Sequence, residues 1–229
     1  MGTTLRVCCR IVFHLPKPYA AMIPFDVLFL FTAASAALAI TPGPDNLFVL
    51  TQSALYGRKA GLLITLGLCT GLLVHTSAVA LGIAVILHKS AVAFNALKMI
   101  GAGYLLYLAW QAFRAGAVDP AAQKSGPMGG WALYARGILM NVTNPKVAIF
   151  FLAFLPQFTD PGRGLIPLQI VLLGAVFMIC TLVVFGGIAW AAGHIGQWLS
   201  NSRRVQVVLH RAAGSIFMLL AGRLAFSRQ

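Results

Sequence analysis

Six apolar stretches, near residues 26–56, 61–87, 91–113, 131–157, 165–193 and 205–226, run almost the whole length of this chain. About 20 apolar residues are enough to cross the hydrocarbon core of a bilayer. A soluble domain of this size would need far more polar surface. The chain is 59% hydrophobic and 9% charged, with mean hydropathy +0.87, against about a quarter charged residues in soluble domains. The expected fold class is therefore all-α, a polytopic membrane protein of six transmembrane helices.

The net charge of +13 does not mark a nucleic-acid-binding face, because the basic residues stand singly or in pairs at the ends of apolar runs. There they snorkel and set topology. Arg58 and Lys59 lie in the first connection, Arg114, Lys124 and Arg136 in or beside the third, and Arg203, Arg204 and nearby Arg211 mark the fifth. The second holds Lys89, and the fourth holds Arg163 beside Asp160. The richer connections are expected in the cytoplasm, which puts both termini on the outward side of the membrane. Arg6, Arg10 and Lys17 would then face the wrong way. Their segment also lacks a signal-peptide core, since the apolar run from Val7 to Phe13 is broken by Arg10. Residues 1–24 are accordingly read as a non-conforming extension, with Met22 as the expected start. A single transmembrane domain spans 25–226: repeat one over 25–114, a cytoplasmic loop over 115–130, and repeat two over 131–226.

The first and fourth stretches are interrupted. One contains Thr41-Pro42-Gly43-Pro44 and the other Asn144-Pro145. Unbroken, the first would be roughly 45 Å long, more than the hydrocarbon core needs. Proline breaks a helix by removing an amide and clashing with the preceding turn. Each half of the chain thus opens with a broken helix and continues through two more spans. A three-span unit has odd parity, so its repeat must be inverted in the membrane, a plan found in transporters whose substrates bind where discontinuous helices meet. Placing Pro44 on Pro145 sets Asp45 opposite Lys146 and Gly43 opposite Asn144. Thr41-Pro42 and Asn144-Pro145 both fit an N-cap followed by the first helical residue. Freed amides at such a start suit a carboxylate. Unwound carbonyls and the Asp45 carboxylate suit an ammonium, and together these groups describe a site for a zwitterion. The plainer alternative is that the prolines only kink the helices while Asp45 and Lys146 snorkel or form a structural pair. There is no Glu, and of Asp26, Asp45, Asp119 and Asp160 only Asp45 falls inside a span. Intramembrane acids are costly and normally paired or functional.

Thr41-Pro42-Gly43-Pro44-Asp45-Asn46 resembles the TPGP(D/N) hallmark of the LysE/RhtB family of amino-acid exporters. The resemblance continues through Gly57-Arg58-Lys59-Ala60-Gly61, Gly67-x3-Gly71-x3-His75 and Lys98-x2-Gly101-Ala102-Gly103-Tyr104-Leu105-x2-Leu108-x5-Arg114. It extends to Gly137-x3-Asn141-x2-Asn144-Pro145-Lys146, covering nearly all of residues 25–226. It implies an inner-membrane efflux transporter, with homoserine, homoserine lactone, threonine, leucine or lysine as the substrate class and the proton motive force as the driver. The expected partners are then an amino-acid substrate, protons and the lipid bilayer, with no cofactor. The oligomeric state stays open, a homodimer among the options. Substrate-binding or coupling roles fall on Thr41, Pro42, Gly43, Pro44, Asp45, Asn46, His75, Asn141, Asn144, Pro145 and Lys146.

Gly67, Gly71 and His75 recur every four residues and share one helix face. For the glycines that spacing suits close helix packing, while His75 reads equally as a proton relay or a hydrogen-bonded packing residue. Lys98 either neutralises a substrate carboxylate or snorkels. Tyr104, Tyr107, Trp110, Trp131 and Trp198 sit near span ends, as interfacial anchors do. Asn95, Gln111, Gln169 and Gln206 form no pattern. Two other classes of function stay in view. A metal exporter would need several convergent ligands beside Asp45, and a thiol–disulfide carrier would need Cys69 and Cys180 to meet. No Walker motif and no cysteine–histidine metal spacing is present. A hydrolase is disfavoured because His75 and Ser77 are not at helical contact spacing. Peptide mapping of the purified protein is expected to start at Met22; a peptide from residues 1–21 would overturn that start.

Overall fold

A computed structural model of the chain describes residues 22–41, 43–83, 91–114, 128–192 and 203–226. The tail up to residue 21, Pro42, the greater part of the expected cytoplasmic loop (115–127) and Trp198 lie outside the described residues, as do the side chains of Lys98, Gln206 and Arg223.

All regular structure among the described residues is helical. Helix α1 spans Phe25–Ile40 and α2 spans Pro44–Tyr56, bent from it by 62°. Helix α3, Arg58–Ala78, follows and continues as a π-helical turn over Val79–Ile83. Helix α4 covers Ala91–Arg114. The second half begins with α5, Gly130–Val142, and the short α6, Pro145–Ile149, which is extended by a π-helical turn Phe150–Phe154 and a 3-10 turn Leu155–Phe158. The two arms of this pair are bent by 50°. Helices α7, Ile166–Ala191, and α8, Arg203–Phe226, complete the order. Arg58–Gly82 and Ile166–Ala191 are each long and apolar enough to cross a membrane, and counting each bent pair as one span gives up to four among the described residues.

The packing is that of a protein surrounded by lipid. Phe29, Leu66, Leu73, Met99, Ile179, Val183 and Leu219 are exposed on outer helix faces, where water would penalise them. Polar groups are turned inward or satisfied on the spot. The hydroxyls of Thr32, Ser35, Ser53, Thr65, Thr76 and Thr181 each donate to the carbonyl four residues earlier, at 2.6–2.9 Å. Such back-bonding satisfies these hydroxyl donors in a medium without water. Aromatic residues mark the ends: Arg58 stacks over Trp190 and Arg114 over Trp110, the cations 5.4 and 4.7 Å from the ring centres. Gln169, unassigned from sequence, is buried and staples the turn before α7. It accepts from the Asp160 amide at 2.9 Å and donates to the Asp160 carbonyl at 2.8 Å.

Two apolar clusters fill the interior. One gathers Phe31, Leu38, Phe150, Phe151, Phe154, Phe177 and Phe217, and the other Phe48, Val49, Ile64, Leu68, Leu133 and Phe185. In the first, ring centres lie 4.7–6.3 Å apart in tilted and edge-on pairs, as between Phe150 and Phe154 or Phe150 and Phe151. The halves are joined by α3 against α5. Gly67 lies at their crossing, where a Cβ would overlap the Tyr134 carbonyl oxygen and sit 3.0 Å from Gly137 Cα. One turn on, a Cβ at Gly71 would come 2.7 Å from Asn141 Cβ. Small residues bring the backbones together here, and Thr70 and Tyr134 share a hydrogen bond of 2.8 Å beside the crossing.

Gly67→Ala is expected to force α3 from α5 at a cost of about 1–3 kcal/mol. Gly103→Ala, where a Cβ meets nothing within 4 Å, is expected to be neutral. Thermal unfolding of the two purified variants in one detergent checks this; equal midpoints would contradict the close crossing.

Candidate functional site

The first interruption begins where α1 stops. Thr41 folds back on that helix: its amide and hydroxyl both donate to the Ala37 carbonyl, at 2.9 and 2.7 Å. The next helix is capped by Gly43, with Pro44 as its first residue. The expectation that Thr41 caps the helix after the break is thereby corrected, because its hydroxyl is spent on the turn behind it. At the second interruption Asn144 is the N-cap, its side-chain oxygen accepting from the Lys146 amide at 3.0 Å, and Pro145 follows as the first residue. Gly43-Pro44-Asp45 and Asn144-Pro145-Lys146 therefore occupy matching positions in the two breaks.

A helix end leaves backbone groups without partners, and those of the first break are met in part from the second half. The Lys146 ammonium donates to the Leu38 and Thr41 carbonyls at 3.1 and 3.2 Å. It thus sits at the negative end of α1. Asn46 donates to the Ala39 carbonyl at 2.7 Å. From the second break, Asn144 Nδ2 donates to Asp45 Oδ2 at 2.6 Å, and that carboxylate lies in the first turn of α2, the positive end. Asp45 and Lys146 do not form a direct ion pair: the pair found within 4.0 Å among the described residues is Arg163–Asp160, on an exposed turn. Hydrogen bonds to a charged group contribute about 1.5–3 kcal/mol each. Two carbonyls at a helix end therefore hold the ammonium without direct contact to a carboxylate.

Asp45, Asn141 and Lys146 line one cavity of about 20 Å³. Leu38, Val147 and Phe177 reach it from the first apolar cluster, and Leu68 and Phe185 from the second, so the polar layer lies at their seam. Asp45 and Asn141 are 4% and 3% exposed, and Asp45 Oδ1 and Asn141 Oδ1 have no hydrogen-bond partner in the protein. Two buried acceptors thus remain open beside a space that holds about one water. A side chain on Gly43 would stand 3.6 Å from the Lys146 ammonium. Pro44 and Pro145 are exposed at the helix starts.

His75 lies outside the cavity lining. Its Nε2 is 3.2 Å from the Asn141 carbonyl and its ring stacks near Phe151, with centres 5.8 Å apart. Thr181, Phe177 and Phe185 of α7 do line the cavity, although nothing in the sequence singled them out. Thr181 is the one signal that was there to be read, a hydroxyl within a long apolar helix. Cys69 Sγ rests 4.0 Å from the Met178 carbonyl and Cys180 Sγ 4.0 Å from the Thr32 carbonyl, both free. The two thiols are turned to carbonyls on different helices, α7 and α1. Among the described residues no three His, Cys, Asp or Glu side chains converge.

Asn144→Ala removes both a cap and the donor to a buried carboxylate, and is expected to cost about 2–4 kcal/mol. In the background of Asp45→Asn the same substitution should cost markedly less. A double-mutant cycle on thermal stability tests the link, and additive effects would deny it.

The sequence pattern of the family described as "LysE type translocator" matches residues 36–228. The chain is 33% identical over 205 residues to the homoserine/homoserine lactone efflux protein of Salmonella typhimurium, covering 89% of this chain and 98% of that one. It is 35% identical over 190 residues to a Vibrio cholerae protein named uncharacterized membrane protein, covering 83% and 91%. No solved structure matches significantly. With its apolar helices, its two bent pairs and a match over most of its length, the chain is a membrane protein, a transporter rather than an enzyme, and belongs to the LysE type translocator family.

Proposed function

We propose that this translocator exports a small amino acid or close derivative, of the homoserine, homoserine lactone, threonine, leucine or lysine class, across the bacterial inner membrane. Six spans then form two inverted three-helix repeats, with α4 and α8 as the third member of each, and both termini lie on the periplasmic side. The observation that carries this reading is the meeting of two helix breaks at one buried polar cavity, Asn144 of one half holding Asp45 of the other. Discontinuous helices meeting in this way are characteristic of transporter binding sites.

The Salmonella relative is named for homoserine and homoserine lactone. Both compounds carry an α-ammonium, and the lactone has no free carboxylate. Recognition common to the two must rest on the ammonium. Asp45 Oδ1 is an open acceptor suited to it, and Asn141 Oδ1 a second, suited to an ammonium or hydroxyl proton. Since the cavity holds about one water, the site must widen for an amino acid to enter.

In this proposal Asp45 also couples export to the proton gradient. Burial and nearby cations act oppositely on a carboxyl group's hold on its proton, so a charged substrate that arrives and leaves changes that hold within each cycle. Asn144 and Thr41 orient the acceptors, Asn46 ties α2 to α1, and Pro42, Pro44 and Pro145 keep the helix ends open. His75 acts on the site through the Asn141 carbonyl.

Efflux of a labelled amino-acid panel from membrane vesicles, with and without an imposed pH gradient, tests the proposal. Wild type is expected to export at least one member of the class faster with the gradient. Asp45→Asn should insert normally and lose the gradient-dependent part; wild-type rates in that variant would remove Asp45 from the mechanism.

A further inference from the structure

The substrate's ammonium already has a counterpart inside the protein. Lys146 reaches from the start of α6 across to the other half, where its Nζ holds the Leu38 and Thr41 carbonyls at 3.1 and 3.2 Å. These are the carbonyls that the end of α1 leaves free, the groups that would otherwise receive a cation from the cavity. Lys146 lines that same cavity, next to Asp45 with its open, buried Oδ1. A lysine ammonium and a substrate α-ammonium are the same chemical group, so the two compete for the same acceptors.

We propose that Lys146 is a tethered stand-in for the substrate's ammonium, filling the α1 carbonyls in the empty carrier and yielding them when substrate binds. This rests on the amino-acid export reading above and makes Lys146 a residue of the return step. An empty carrier must reset through lipid, where bare carbonyls and an uncompensated carboxylate are penalised. Lys146 supplies the missing cation in that state, and the substrate supplies it in the loaded state. The protein then never crosses between its two faces with the α1 carbonyls bare. A fixed ligand for the substrate carboxylate would instead have its ammonium turned to the cavity and away from backbone acceptors.

The test uses full-length protein in proteoliposomes and separates exchange from net efflux. Wild type is first shown to carry labelled homoserine and homoserine lactone; if it carries neither, the substrate class proposed above fails before Lys146 is tested. Lys146→Ala is expected to slow net efflux far more than exchange of internal for external substrate. Net efflux into substrate-free buffer should fall at least about tenfold. Millimolar methylammonium, small enough to take the vacated place, should restore net efflux, and tetramethylammonium should not. An unchanged ratio of net efflux to exchange would overturn the proposal, as would loss of both for homoserine while the lactone is unaffected, the signature of a carboxylate ligand. Lys146→Arg keeps the charge and the reach, and judges the proposal if the alanine variant does not accumulate. It should sustain net efflux and raise KM for homoserine and its lactone alike, whereas a change confined to homoserine would refute the stand-in.

Discussion

Two helices interrupted inside an apolar bundle create the constraint on which the rest of this structure depends. Each interruption strips backbone groups of their partners where no water can replace them. The solution for the first break comes from the second half. Lys146 from the second half serves the carbonyls of the first, and Asn144 from the second holds the carboxylate of the first. The first break is therefore not satisfied by its own half alone. The polar layer is thus a consequence of the interruptions, and the apolar clusters on either side of it isolate it.

Magnitudes explain why Asp45 and Lys146 share a site without joining. A direct buried ion pair must recover the desolvation of both groups, which amounts to several kcal/mol per ion. Spreading the two charges over oriented dipoles avoids concentrating that demand in one contact. The ammonium takes two carbonyls at the end of α1, and the carboxylate, in the first turn of α2, accepts from the Asn144 side-chain amide at the start of α6. The arrangement also leaves one carboxylate oxygen open, which a closed pair would not.

Much of this was legible in the residues. The apolar runs placed the helices within a few positions, and the spacing of Pro44 and Pro145 gave the matching of Asp45 with Lys146. Thr41 was misread because a threonine before proline resembles a cap, while its hydroxyl had a nearer acceptor at Ala37. The contribution of α7 was not legible. Phe177 and Phe185 look like every other apolar residue of a helix that is hydrophobic all round, and only packing decides which of them reach the cavity. The carbonyl partners of Lys146 were likewise hidden, since a backbone acceptor has no letter in the sequence.

The crossing of Gly67 with Gly137 carries a mechanical consequence. Interlocked side chains act as gear teeth and resist turning of one helix on another. Where two backbones touch with nothing between them, the junction opposes separation and sliding apart far more than it opposes swivelling. Helices from the two halves meet at such a bearing one turn from Asn141, so a small rotation there is levered directly into the polar layer.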